Sequence, residues 1–146
     1  MIEFDRATLA IYSDSRTVAD ITASLLLDPT EAADIGDPTR AGLAGRPYKP
    51  RYLSYQRTTW TLYVNSDRTT SQGDSGVAAL RRLVEVLLPL AASLESLRED
   101  CETVIWWSGD SDNSQGTFVL PVSLIKDLAA IGCEVRGTVF LDDDAG

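Results

Sequence analysis

The sequence, 146 residues long, contains no histidine. That absence removes imidazole general bases, histidine-dependent nucleophiles and histidine metal ligands together. Cysteine is almost as scarce: Cys101 and Cys133 are the only two, too few and too far apart for a zinc site. Each lies just before an apolar strand pattern, where a small semi-apolar side chain packs well. They read as reduced structural thiols, with a disulfide left open if the two strand starts are neighbours. Acidic neighbours (Asp100, Glu102 and Glu134) disfavour a reactive thiol by raising its pKa. Positive charge is short as well, with 13 Lys and Arg against 22 Asp and Glu and a net charge of −9. Phosphate backbones and anionic lipid repel such a chain, so nucleic acid and membrane surfaces are not expected partners. Long apolar runs are missing. The longest candidate, Val77 to Leu97, is interrupted by Arg81, Arg82, Glu85, Pro89 and Glu95 and does not suit a bilayer span. No basic stretch followed by an apolar one opens the chain, so no signal peptide is read and a soluble, cytoplasmic protein is expected.

Hydrophobic residues at 44% and charged residues at 24% are ordinary globular values, which argues against disorder. The length fits one domain over residues 1–146, burying roughly 68–70% of the extended-chain surface without metal or disulfide staples.

The periodicity predicts a strand over Ala7–Ser13 and a helix from Thr17 to Leu27. Thr17-Val18-Ala19-Asp20 has the form of a capping box, and Pro29 stops the helix. Residues 28–51 hold four of the six prolines and no lasting period, which predicts a long loop. Strand alternation resumes over Tyr52–Val64, and Asn65–Gly73 reads as a polar turn. A helix over Ser75–Arg98 carries a leucine stripe, with Pro89 kinking or dividing it. Thr103–Trp107 reads as the third strand, Gly109–Gln115 as a polar loop and Gly116–Leu120 as the fourth strand. Pro121 suits the start of a helix closed by Gly132, and residues 134–141 alternate as a fifth strand before a frayed acidic tail, 142–146. Together these predict an α+β two-layer sandwich: a mixed, largely antiparallel five-stranded sheet with helices on one face and a ferredoxin-like core.

Several of these segments have a family likeness. Ala7-Thr8-Leu9-Ala10-Ile11-Tyr12-Ser13, then Leu25-Leu26-Leu27-Asp28-Pro29-Thr30-Glu31-Ala32 and Ile35-Gly36-Asp37, are followed by Trp60-Thr61-Leu62, the leucine-rich helix, and Leu120-Pro121 opening a helix that ends Ala130-Ile131-Gly132. Over nearly the whole chain this resembles the bacterial domain of unknown function 4279 family. The resemblance rests on hydrophobic, proline and glycine positions. It implies a small α+β domain of bacterial origin with no established activity, and no catalytic or binding residues to carry over.

The chemistry-bearing stretches are few. Gly109 to Gly116 superficially suggests a calcium loop, but from Asp110 the sixth and twelfth places hold Gln115 and Pro121 where glycine and glutamate are needed. The acid pairs, Asp110 with Asp112 and the Asp142–Asp144 run, fall on predicted loops or the tail, where solvent keeps carboxylates ordinary. Gly-rich phosphate loops and nucleophile elbows are absent. No active site, metal or cofactor is read, and the chain is not expected to be an enzyme. Tyr48 to Arg57 interleaves basic and aromatic residues, and Trp106 and Trp107 point to opposite faces of one strand. The outward tryptophan, with Tyr63 and Phe140, makes an aromatic patch on the open sheet face, covered by the long loop or presented to a partner. The candidate ligand or partner surface is therefore Arg46, Arg51, Tyr55, Arg57, Trp106 and Trp107. The leading reading is a non-catalytic protein-interaction module that binds a basic partner by electrostatic complementarity, as immunity proteins do, or self-associates as a homodimer. Its competitor is a small-molecule or anion-binding domain with a pocket under loop 28–51.

Overall fold

The computed structural model describes residues 2–66, 76–112, 114 and 116–141. Its contacts divide into two compact units: Met1–Leu9, Tyr63–Ala92 and Val104–Gly146 form the first, and Ala10–Leu62 with Ser93–Thr103 the second. Five strands, β1 (Ile2–Ser13), β2 (Glu31–Ala33), β3 (Thr58–Asn65), β4 (Cys101–Ser111) and β5 (Glu134–Leu141), make one sheet in the order β2-β3-β1-β4-β5. The sheet is mixed, as expected: β2 runs antiparallel to β3, and β4 parallel to β5. The class is α+β.

In the first unit, helix α3 (Ala78–Leu87) turns its leucine stripe inward, burying Leu80, Leu83, Val84 and Leu87. It packs against α5 (Val122–Ile131), whose Leu124, Leu128 and Ile131 are buried in turn. Pro121 caps the start of α5, and Gly132 ends it at φ 79°, a left-handed turn that glycine adopts without strain. Pro89 lies in a one-turn 3-10 segment, Leu88–Leu90, that divides α3 from α4 (Ala91–Leu97), as a residue without an N–H must.

In the second unit, α1 (Val18–Leu25) opens with the Thr17 capping box, both of its reciprocal bonds present. The box holds the Asp20 carboxyl below its ordinary range, first through the Thr17 backbone N–H and then through the Thr17 side chain. Ile11, Ile21, Leu25, Leu94 and Leu97 are fully buried with Trp60, whose Nε1 donates to Thr22 Oγ1 at 3.1 Å.

Three expectations are corrected. Gly116–Leu120 alternates but is irregular, not a strand. The remaining strand is β2, inside the segment read as a loop; three residues are too few to show a period. The strand expected from Tyr52 begins at Thr58, because Pro50–Tyr52 is a 3-10 turn. Residues 28–51 are thus folded. Gly36 N–H donates to the Tyr55 carbonyl, Tyr55 N–H to that of Asp37, and Thr39 N–H to that of Leu53. Thr39 also caps a short helix, α2 (Arg40–Leu43). Within it, a Cβ on Gly42 would stand 2.0 Å from the Leu53 carbonyl oxygen, so only glycine fits there. The acidic tail and residues 67–73 of the expected turn lie outside the described residues.

Candidate interaction surface

β1 alternates outward and inward over residues 4–9: Asp5, Ala7 and Leu9 are buried, whereas Phe4 and Arg6 are exposed. β4 alternates likewise from residue 105: Ile105, Trp107 and Gly109 face in, and Trp106 and Asp110 face out. In the parallel ladder Trp106 stands opposite Arg136 and Asp110 opposite Phe140. β1 and β4 are neighbours in the sheet, so Phe4, Arg6, Trp106, Asp110, Arg136 and Phe140 share one exposed face of the first unit.

Three aromatic side chains on this face remain accessible: Phe4 at 41%, Trp106 at 41% and Phe140 at 57%. Each arginine lies against an aromatic ring. The Arg6 guanidinium sits 4.5 Å from the Tyr63 ring and donates to Asn65 Oδ1 at 2.7 Å. That of Arg136 sits 5.1 Å from Trp106 and bonds Glu134 at 2.9 Å. Held in this way, the cations flatten onto the face and take part of their stabilisation from the ring quadrupoles. Two open grooves cross it. One, of about 270 Å³, is lined by Glu3, Phe4, Asp110, Ser111, Phe140 and Leu141. The other, of about 330 Å³, shares Phe4, Asp110 and Phe140 and extends to Arg6, Asn65 and Ser108.

Behind the face lies a buried carboxylate that sequence reading missed. Asp5 is 4% exposed and accepts from Trp107 Nε1 at 3.0 Å, from the Ala79 N–H at 3.0 Å, and from the Ser66 hydroxyl. Its own N–H donates to Ser66 Oγ at 3.1 Å, and its carbonyl accepts from the Ser66 N–H at 2.9 Å. Val77, the residue that precedes α3, offers no side-chain cap, so Asp5 serves that helix start from another strand. A negative charge there also meets the positive end of the helix dipole. Asp5, Ser66 and Trp107 each have a sequence neighbour on the exposed face, so one cluster fixes Phe4, Arg6, Asn65 and Trp106 together. Continuing the β1 alternation back from Ala7 would have placed Asp5 inward.

The residues expected to make the site fall in both units. Trp107 is in the core, 5% exposed, with the Phe118 ring 5.1 Å away, and Trp106 is on the exposed face. Arg46, Arg51, Tyr55 and Arg57 belong to the second unit. Arg46 reaches the Tyr48 hydroxyl at 3.5 Å and Arg51 lies 4.8 Å from the Tyr52 ring. Half-buried Tyr55 lines a small groove with Glu31 and Thr59. Arg57 is committed: it bonds Asp14 at 3.1 Å and Glu102 at 2.9 Å, and the Glu102 bond raises its pKa. Asp110, expected on a loop, is on β4, which continues through Ser111; Asn113 and Gln115 of that expected loop lie outside the described residues. Both cysteines are free and buried, and burial pushes the Cys101 thiol up. Among the described residues no three acidic or cysteine side chains gather where they could hold a metal ion, and no helix is long and apolar enough to cross a membrane.

A family model, the domain of unknown function DUF4279, matches residues 3–138. No curated protein and no solved structure matches the chain.

Proposed function

We propose a role for this chain from its own surface, since it belongs to the DUF4279 family, a domain of unknown function. The role is that of a bacterial, cytoplasmic, non-catalytic protein-interaction module whose docking surface is the exposed strand face of the first unit. The observation that carries this reading is the trio Phe4, Trp106 and Phe140, solvent-accessible on a face pinned from behind by Asp5. Aromatic residues on a rigid support are the anchors that dominate protein interfaces, because they bury much apolar area at little entropic cost. The net charge of −9 favours a basic partner and disfavours nucleic acid. Glu3 and Asp110 in the grooves give that preference a local counterpart. Immunity proteins that neutralise basic toxins have this kind of charge relation to their targets.

The test is capture from the native host with the chain as bait, read by mass spectrometry. The reading expects one stoichiometric basic protein, lost when Phe4, Trp106 and Phe140 are all changed to serine while the circular dichroism spectrum is kept. Equal capture by the triple-serine variant, or no capture combined with a ligand-dependent rise in melting temperature, would refute it.

A further inference from the structure

β5 is an edge strand of the sheet and, among the described residues, pairs with β4 alone. Long edges present unpaired backbone groups, and proteins blunt them with lysine, proline, bulges, inward charges or a covering segment. The eight residues Glu134–Leu141 contain neither lysine nor proline, and their register against β4 is unbroken. Seven of the eight are exposed, with Val135 at 37% and Leu141 at 52% on one face and Phe140 at 57% on the other. The two charges of the strand, Glu134 and Arg136, bond each other at 2.9 Å, so the edge is locally neutral in an acidic chain.

We propose that β5 is the interface of a symmetric homodimer, pairing antiparallel with β5 of a second copy about a two-fold axis at Thr138. The strand is self-complementary in that register. Residues on one face must meet residues on the same face, which allows only axes centred on a residue. Centring on Thr138 puts Val135 opposite Leu141 of the second copy, Gly137 opposite Val139, and Arg136 opposite Phe140. Across residues 135–141 every pair is then apolar or cation–π apart from Thr138 with itself, and no like charges face each other within that span. Centring on Gly137 instead keeps an apolar pair, Val135 with Val139, but sets Glu134 against Phe140 and Arg136 against Thr138, losing the cation–π match. The remaining negative charge lies off the strand, where added salt screens it over a Debye length of about 8–10 Å. Dimerisation should therefore tighten as salt rises.

Sedimentation velocity at micromolar concentration should show the wild-type chain as a dimer. Thr138→Lys opposes two ammonium groups on the axis and should give a monomer with an unchanged circular dichroism spectrum. Thr138→Cys tests the register. Directly opposed antiparallel residues have Cα atoms about 4.5–5.5 Å apart, inside the usual disulfide range of about 4.4–6.8 Å. Mild oxidation should link Thr138→Cys into a covalent dimer. Val135→Cys should not link to itself, whereas the Val135→Cys, Leu141→Cys double variant should. A monomeric wild type, a dimer that survives Thr138→Lys, or self-linking of Val135→Cys alone would overturn the proposal. So would a chain kept monomeric by another segment lying along β5.

Discussion

The two units place their aromatic side chains differently. In the second, Trp60 is wholly buried, Arg16 bonds Asp100 at 2.8 Å, Arg57 bonds Asp14 and Glu102 while lying over the Tyr12 ring, and Arg51 lies on the Tyr52 ring. In the first, Arg6 and Arg136 lie on the rings of Tyr63 and Trp106, while Phe4 and Phe140 face solvent and the only buried charge among the described residues, Asp5, is satisfied from three directions. The same residue types make a fastening in one place and a presented surface in the other. What differs is the ring that anchors each: Trp60 fills the core of the second unit, whereas Phe4, Trp106 and Phe140 stand accessible on one strand face of the first.

That contrast can be broken most forcefully at Trp60. Trp60→Ala empties the centre of the second unit and should lower stability by about 3–5 kcal/mol in urea unfolding, whereas Trp106→Ala should stay within about 0.5 kcal/mol of wild type. Similar losses from the two would erase the distinction between fastening and surface. Next in size is Asp5→Ala. It strands the Trp107 and Ala79 donors in the core, at about 1–3 kcal/mol for an unsatisfied buried group, while Asp5→Asn, which keeps an acceptor, should lose less. Equal losses would mean that the carboxylate does not hold the cluster.

The smallest effect concerns acid. The Arg16 hydrogen bond holds the Asp100 carboxyl below the usual carboxylate range. Its folded pKa is thus below its unfolded one, so its contribution is present above the unfolded value and is lost as pH falls through the folded one. In Asp100→Asn, stability should decline less steeply across that acid window, with little change at neutral pH because the pair is exposed. An unaltered acid profile would show the pair to be energetically silent.

Much of this architecture was legible where local chemistry decides it. Thr17 and Asp20 announce the start of α1, Pro89 divides α3 from α4, and Pro121 and Gly132 bracket α5, each through a backbone group that only that residue type can satisfy or omit. The opposite faces of Trp106 and Trp107 followed from strand parity alone. Illegible parts depend on partners distant in sequence. Gly116–Leu120 has the alternation of a strand, yet pairing is a property of a neighbour and not of the segment. Segment 36–39 is held by residues 53–55, which leave no periodic trace in either stretch. The exposed aromatic face is half visible in the sequence: Trp106 and Phe140 follow from strand parity, but Phe4 and Asp5 lie before Ala7, where the clear alternation begins.

The Asp5 cluster also has a consequence in time. Ser66 is 61 positions beyond Asp5, Ala79 is 74 beyond, and Trp107 is 102 beyond. During synthesis the Asp5 carboxylate therefore stays hydrated until Trp107 has emerged. Closing such wide loops before any reward slows folding, so the amides around Asp5 should be among the last to become protected from hydrogen exchange.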